Sequence, residues 1–129
     1  MSSIASGGVS LVAIPQNMFR LTCYLAAGIT SANKGQPVAL DTTANNTVKL
    51  AGDGDVIIGN LITVSTGTTE GISAGTVEFK GGFTWNFTGA VVVGNQVVGS
   101  ATAGSVKAGT NPRSLVVAVN GTTADVIFI

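Results

Sequence analysis

Glycine recurs at short intervals along this sequence: there are 18 glycines, and most lie between Gly28 and Gly121. The segments between them are short and rich in Val, Ile, Thr and Phe. Such segments, bounded by turn-forming residues, are typical of short strands. No window of about 11 residues or more has a helical stripe of apolar residues, and residues 21–29 are the nearest candidate. The sequence therefore predicts an all-β fold, a small β-barrel or β-sandwich of short strands with tight Gly and Asn turns.

Two hairpins are predicted from their turn residues. Asn120-Gly121 separates the β-rich runs 114–119 and 122–129, and Asn-Gly accepts the positive φ angles of a two-residue hairpin turn. Residues 44–46 separate the runs 37–41 and 47–50 in the second hairpin. Further strands are predicted at 56–58, 61–64, 76–79, 83–87, 90–93, 96–98 and 105–107.

The length of 129 residues fits one compact domain, which we predict to span 18–129. Residues 1–17 differ from the rest, because they are uncharged and rich in Ser and Gly, and we predict an extended N-terminal arm there. Five large aliphatic side chains on a mobile tail would promote aggregation, so we expect the arm to dock on a neighbouring subunit. These candidate interface residues are Ile4, Val9, Leu11, Val12 and Ile14.

The composition excludes several classes of function. The sequence has no histidine, which rules out His-based catalytic triads and His-based zinc sites. Only 9% of residues are charged and the formal net charge is zero, so we expect no direct binding to nucleic acid or to an anionic membrane. Cys23 has no second cysteine to pair with. We predict no signal peptide, no membrane segment, no cofactor and no enzymatic activity.

Carboxylates offer the remaining candidates for a metal or catalytic site. Asp53 and Asp55 resemble the start of a calcium loop, but the later ligands of an EF-hand are missing, so a polar turn is the favoured interpretation. Nothing in the spacing of the other carboxylates brings a catalytic pair together, and we expect no metal. These residues are Asp41, Glu70, Glu78 and Asp125.

Three aromatic residues alternate along one predicted strand. Phe83, Trp85 and Phe87 would lie on one face of it, where they would form part of the core, a subunit interface or a platform for a sugar or a base. We retain them as candidate interface residues, because few other aromatic residues are available to fill a core.

The order of turns and strands from Gly35 to Ile129 resembles that of the small capsid decoration, or cement, proteins of tailed bacteriophages. The resemblance covers about three quarters of the chain and leaves out residues 1–17. The segments that carry it are 34–41 (KGQPVALD), 51–59 (AGDGDVIIG), 75–79 (GTVEF), 94–97 (GNQV), 103–107 (AGSVK) and the closing strand 124–129.

The resemblance implies a non-enzymatic structural protein on the outer surface of the virion capsid, assembled in the host cytoplasm. Its partner would be the major capsid protein, whose subunits it would cement against the internal pressure of DNA. It would be a homo-oligomer, with a trimer favoured and a dimer as the alternative. Two other functions stay open: a carbohydrate-binding β module, based on the aromatic residues, and a subunit of a fibre or spike on the virion surface.

Overall fold

A computed structural model describes residues 19–65 and 73–129, and these residues form two five-stranded sheets. The predicted all-β fold is confirmed, while the N-terminal arm lies outside the described residues. A single turn of 3-10 helix, Ser31–Asn33, precedes β2. The strands are β1 (Arg20–Leu25), β2 (Pro37–Leu40), β3 (Thr47–Leu50), β4 (Ile57–Ser65), β5 (Ala74–Glu78), β6 (Gly81–Phe87), β7 (Val97–Gly99), β8 (Ser105–Ala108), β9 (Ser114–Asn120) and β10 (Thr123–Phe128).

The first sheet closes into a barrel. Its strands follow the order β1-β3-β2-β4-β5, and β1 pairs with β5 to complete the circle. All neighbours are antiparallel except β1 and β3, which are parallel. Alternate residues point inward, and Leu25, Val38, Val48, Leu61 and Val77 fill the interior.

The second sheet repeats the connection order of the first. Its order is β7-β8-β6-β10-β9, with β6 parallel to β8 and the other pairs antiparallel, so β6 to β10 take the places of β1 to β5. In the first unit, Gly35 N–H donates to the Leu61 carbonyl over 2.7 Å. In the second, Gly94 N–H donates to the Val116 carbonyl over 2.8 Å and joins the β7 end of the sheet to β9. Residues 19–65 and 73–129 thus form two five-stranded units with the same connection order, of which the first is a closed barrel and the second is a sheet with β7 and β9 at its ends.

Equivalent residues follow from equivalent backbone bonds. Asp41 N–H donates to the Thr47 carbonyl, and Ser100 N–H donates to the Ser105 carbonyl. The residues that precede them, Leu40 and Gly99, are therefore equivalent. The two units also share a β-bulge, since the register shifts between Leu61 and Thr63 in β4 and between Asp125 and Val126 opposite β9.

The two units share the larger of two hydrophobic clusters. It contains the interior of the second sheet together with Ala39, Ala51 and Ile57 from the outer side of the first barrel. Trp85 Nε1–H of β6 donates to Asn60 Oδ1 of β4 over 2.9 Å, and Asn111 Nδ2–H donates to the Ile57 carbonyl over 3.0 Å. The shared cluster and these hydrogen bonds thus join the two units. That residues 18–129 form a single domain remains a prediction.

Both predicted hairpins form. The turn between β9 and β10 was predicted one residue too early: Asn120 ends β9, and the two loop residues are Gly121, at φ 61°, and Thr122. β2 and β3 are joined by a turn that ends on Asn46 at φ 55°. Two other expectations were wrong. The predicted strands 56–58 and 61–64 are not separate, because residues 57–65 form one strand, β4. Residues 90–93 are not a strand: they lead into a turn in which Asn95 N–H donates to the Val92 carbonyl over 3.1 Å.

Candidate functional site

Several large hydrophobic side chains of the described residues lie on the surface. Four of them, together with the half-buried Ile58 and Ile127, form two patches on separate units, and sequence reasoning identified neither. The exposed residues are Phe19, Leu21, Tyr24, Leu40, Val56, Val92, Val93, Leu115 and Ile129. Clustered apolar surface on a charge-poor protein is a candidate binding surface.

The first group, which we call the β2–β4 patch, comprises Leu40, Val56 and Ile58. It forms where the pairing between β2 and β4 ends, at Ala39 and Ile57. Leu40 comes directly after Ala39, and Val56 comes directly before Ile57, so both lie just beyond the last pair. Leu40 is 53% exposed and Val56 is 55% exposed. Together with Ile58 they line one shallow depression in the surface.

One ion pair borders the β2–β4 patch. Lys49 Nζ lies 3.3 Å from Asp55 Oδ2, and the same carboxylate oxygen accepts the Gly52 N–H over 2.8 Å. The hydrogen bond from Gly52, followed by the contact with Lys49, lowers the pKa of Asp55 below its usual value. Asp55 is therefore charged at neutral pH, and the patch carries one positive and one negative group at its edge.

The second group, which we call the β9–β10 patch, comprises Leu115, Ile127 and Ile129. Leu115 and Ile127 are directly opposite each other in the pairing of β9 with β10. On its other side Ile127 faces Gly82, which has no side chain to cover it. Ile129 is 72% exposed, and its backbone N–H donates to the Arg113 carbonyl over 3.0 Å. These contacts place three aliphatic side chains on the outer face of the second sheet.

Arg113 anchors the edge of the β9–β10 patch. Its guanidinium donates to the Phe79 carbonyl over 2.8 Å and to the Ile129 carbonyl over 3.3 Å, and it lies 5.9 Å from the centre of the Phe128 ring. It thereby ties the last residue of the chain to the end of β5, so the patch rests on a fixed backbone.

The structure places the candidate aromatic residues in the core. Phe83 is 4% exposed and Trp85 is 2% exposed, and their rings stack at 5.2 Å between centres and pack against Phe128. Phe87 is partly buried against the same cluster. The interpretation of Phe83 and Trp85 as interface residues is therefore wrong: the interior of the second sheet needs their volume, and alternation along β6 directs them inward.

The remaining candidate interface residues, Ile4, Val9, Leu11, Val12 and Ile14, lie outside the described residues.

The two aspartates weighed as calcium ligands each have a lysine partner. Asp55 pairs with Lys49, and Asp53 lies 2.6 Å from Lys107 of the second unit. Across residues 19–65 and 73–129, no three His, Cys, Asp or Glu side chains come together as a metal site. The polar turn is the interpretation that these contacts favour.

The other described carboxylates lie on different elements and have different partners. Asp41 accepts the hydroxyl and N–H of Thr43, and these bonds lower its pKa. Glu78 is buried with Arg20 Nε at 3.3 Å. Asp125 accepts the Thr84 hydroxyl over 2.7 Å. Glu70 lies outside the described residues.

Cys23 lines a shallow groove between β1 and β5 together with Thr22, Tyr24, Asn46 and Ala74. Partial burial raises the pKa of its thiol. The side chain is therefore a neutral thiol at neutral pH and a poor nucleophile.

No helix in the described parts of the chain is long and apolar enough to cross a membrane. Comparison with known proteins adds no identification: no family model matches the sequence, and no curated protein matches it.

Proposed function

We propose that this protein is a structural virion protein that binds the outer surface of a tailed-phage capsid and cements neighbouring subunits of the major capsid protein. The observation that carries the proposal is the pair of aliphatic patches, one on each unit, on a surface with few charges. A lone soluble domain gains nothing from exposing them, whereas a subunit of an assembly buries them.

The β9–β10 patch is the side we assign to the capsid. Leu115, Ile127 and Ile129 project from a regular sheet that Arg113 holds in place, so they present a preformed surface that loses little conformational freedom on binding. Burial of an aliphatic side chain contributes about 1.5–3 kcal/mol when it is complete, so three side chains give a modest affinity for each subunit. Many copies on one lattice turn modest affinity into a stable coat.

The positions of the two patches support the same function. A cement protein must contact two or more capsid subunits across a joint, and the patches lie on different units, so one chain presents two separate apolar surfaces. The N-terminal arm, predicted to dock on a neighbour, would add a third contact and remains part of the proposal. We place the protein on the outer capsid surface after assembly in the host cytoplasm.

The alternatives differ in their support. The carbohydrate-binding module was based on Phe83, Trp85 and Phe87, and the burial of the first two leaves no open stack of rings for a sugar. A fibre or spike subunit would use the same patches in an open-ended filament, and electron microscopy of the purified protein separates it from closed oligomers.

Co-sedimentation with tailed-phage capsid shells that lack surface proteins tests the proposal. We expect the wild-type protein to pellet with the shells at a saturating stoichiometry. Leu115→Lys should bind at least about ten-fold more weakly, because it places a charge in the centre of the patch. Val92→Lys is the matched control, since Val92 is exposed outside both patches, and it should bind like the wild type. Wild-type protein that stays in the supernatant would overturn the proposal.

A further inference from the structure

One end of the first barrel corresponds to the aromatic cluster of the second unit. Parallel pairing begins at Tyr24 in β1 and at Asn86 in β6, so these two residues are equivalent. Counting from them along the antiparallel pairing with β5 and with β10 gives the equivalent residues at this end of each unit. They are Leu21 with Phe83, Cys23 with Trp85, and Phe79 with Phe128.

In the second unit, this end is covered by a part of the chain that precedes it. Phe83 and Trp85 are almost fully buried, and the cluster that contains them includes Ala39, Ala51 and Ile57 of the first unit. The chain before β6 thus supplies the cover over the aromatic residues.

In the first unit, the equivalent end is open. Leu21 is 48% exposed, and Phe19, directly before β1, is 49% exposed. The Phe19 ring lies 5.8 Å from the Phe79 ring between centres, and the Phe19 carbonyl accepts the Phe79 N–H over 2.7 Å. Cys23 lies on the same face of β1 and is only partly buried. We call these four residues, Phe19, Leu21, Cys23 and Phe79, the β1 rim.

The backbone edge of β1 beside the rim is open as well. β1 pairs with β5 along residues 20–24, but with β3 only from Tyr24 onward. Residues 20–23 therefore have no partner strand on the β3 side among the described parts of the chain. Tyr24 N–H points to that side, where it donates to a backbone carbonyl over 2.8 Å, so alternation directs the N–H groups of Arg20 and Thr22 there as well. An open edge of this kind can accept another strand.

The position of the N-terminal segment indicates what covers the rim. The chain before β1 is residues 1–18, which join the described structure at Phe19, within the rim itself. They have no charged side chain, and residues 11–14 are four apolar residues in a row. The four residues between this run and Phe19 are enough for a hairpin loop. Because the segment is attached beside the rim, its effective concentration there exceeds that of any free partner.

We propose that residues 10–14 of the N-terminal arm form an additional strand, which pairs antiparallel with the open edge of β1 in the same chain and covers the β1 rim. Val12 then lies opposite Leu21, and Ile14 lies opposite Phe19, with all four side chains on the face of the rim. This inference goes beyond the proposed function and does not rest on it. Exchange of arms between adjacent copies on a capsid would make the same contact with a neighbour.

A disulfide to the native cysteine tests the pairing. In this register residue 10 lies opposite Cys23 at a pair without backbone hydrogen bonds, where the Cα atoms are about 4.5 Å apart, within the range of a disulfide. We expect Ser10→Cys to form an internal disulfide with oxidised glutathione, which takes up the protons and electrons of the two thiols and becomes two molecules of reduced glutathione. Mass spectrometry detects the product as a monomer lighter by two hydrogens.

Leu11→Cys is the matched control. Residue 11 points to the opposite face of the added strand, so its disulfide with Cys23 should form at least about ten-fold more slowly. An unchanged circular dichroism spectrum shows that both variants are folded. No internal disulfide in Ser10→Cys, or equal rates in the two variants, would overturn the proposal. Disulfide-linked dimers in place of the internal disulfide would also overturn it, because they would assign the arm to a neighbouring copy.

A charge on the arm tests the cover itself. Val12→Lys places an ammonium group over Leu21, so it should lower the melting temperature by about 5 °C and speed the reaction of Cys23 with iodoacetamide. Val9→Lys is the control, since residue 9 would lie beyond the open edge, where β3 begins, and it should behave like the wild type. Equal melting temperatures and equal thiol reaction rates in Val12→Lys and Val9→Lys would contradict the cover.

These outcomes are separable from the capsid proposal. Both tests use the isolated protein, and neither involves the β9–β10 patch. Failure of the disulfide to form would leave shell binding through Leu115 as an independent question, and failure of the protein to bind shells would leave the added strand intact.

Discussion

The contact between the two units at Gly99 predicts the effect of adding one methyl group there. The Cβ of Gly99→Ala would overlap the Gly52 carbonyl oxygen and lie 3.0 Å from the backbone carbon and Cβ of Ala51. Because its nearest obstacles are backbone atoms, no rotamer change relieves the overlap, and the two segments must separate by about 1 Å. Gly99 accepts a hydrogen bond from Gly54 N–H and donates its own N–H to the Asp55 carbonyl, each over 2.9 Å. Both bonds then lengthen beyond their favourable range.

The expected cost follows from these two effects. Overpacking of this kind costs about 1–3 kcal/mol, and each weakened backbone hydrogen bond adds about 0.5–1.5 kcal/mol, while the added methyl recovers about 0.8 kcal/mol. Together these contributions lower the free energy of unfolding of Gly99→Ala by about 1–5 kcal/mol, and we expect a value near ~3 kcal/mol in urea denaturation and a melting temperature lowered by about 10 °C.

Gly89→Ala is the matched control for this substitution. Gly89 has φ 75° and open space around the position of its Cβ, so alanine there costs only the left-handed backbone penalty of about 1–2 kcal/mol. Gly99 has no positive φ, and its cost comes from the close approach alone. A Gly99→Ala variant that is more stable than Gly89→Ala would refute the close contact between the units.

Three further substitutions test other parts of the structure. Asn60→Ala removes the acceptor of the buried Trp85 N–H and should cost about 1–3 kcal/mol in urea denaturation, whereas an unchanged midpoint would show that the bond contributes nothing. Leu61→Ala empties the centre of the first barrel, where Leu61 is 0% exposed, and should cost about 2–5 kcal/mol; a smaller loss would contradict its burial. Asp55 has a folded pKa below its unfolded value, so its stabilising effect is present above the unfolded pKa of about 3.9 and is lost as the pH falls through the folded pKa. The stability difference between wild type and Asp55→Asn should therefore shrink on acidification from pH 6 to below about pH 3, and a constant difference across that range would contradict the pKa shift.

The sequence predicted the strands best where turn chemistry and alternation agreed. The hairpin of β9 and β10 could be predicted because Asn120-Gly121 lies between two alternating runs. Strand prediction failed at 90–93, an aliphatic run that is irregular and leads into a turn over residues 92–95. There Asn95 accepts the Val92 N–H with its side chain over 2.9 Å, and Gly94 adopts φ 95°. A local side-chain bond outweighed β propensity.

Glycine also concealed the continuity of β4. Gly59-Asn60 reads as a break between two strands, yet Gly59 lies within β4, because its missing side chain allows the Glu78 carbonyl to approach. Asn60 lies within the same strand and does not form a turn; its Oδ1 accepts the hydrogen bond from Trp85 Nε1–H. Both roles depend on tertiary partners that the local sequence does not reveal.

The equivalence of the two units could not be recognised from the sequence because it resides mainly in backbone hydrogen bonds. Gly35 and Gly94 are identical, as are Lys49 and Lys107, but equivalent inward positions such as Leu61 and Val116 require only an apolar side chain.

The two apolar patches were not predicted for a related reason. Outward strand residues such as Leu115 follow the same alternation as core residues, so only the pairing of the strands shows which face is exposed.

The melting temperature of capsid shells measures cementing directly. Shells of a tailed phage that lack surface proteins are heated with and without saturating protein, and Leu115→Lys serves as the folded, weakly binding control. If the protein cements capsid subunits, wild-type protein should raise the shell melting temperature by several degrees and Leu115→Lys should not, because only bound protein stabilises the assembled state. A shell melting temperature that saturating wild-type protein leaves unchanged would contradict the account.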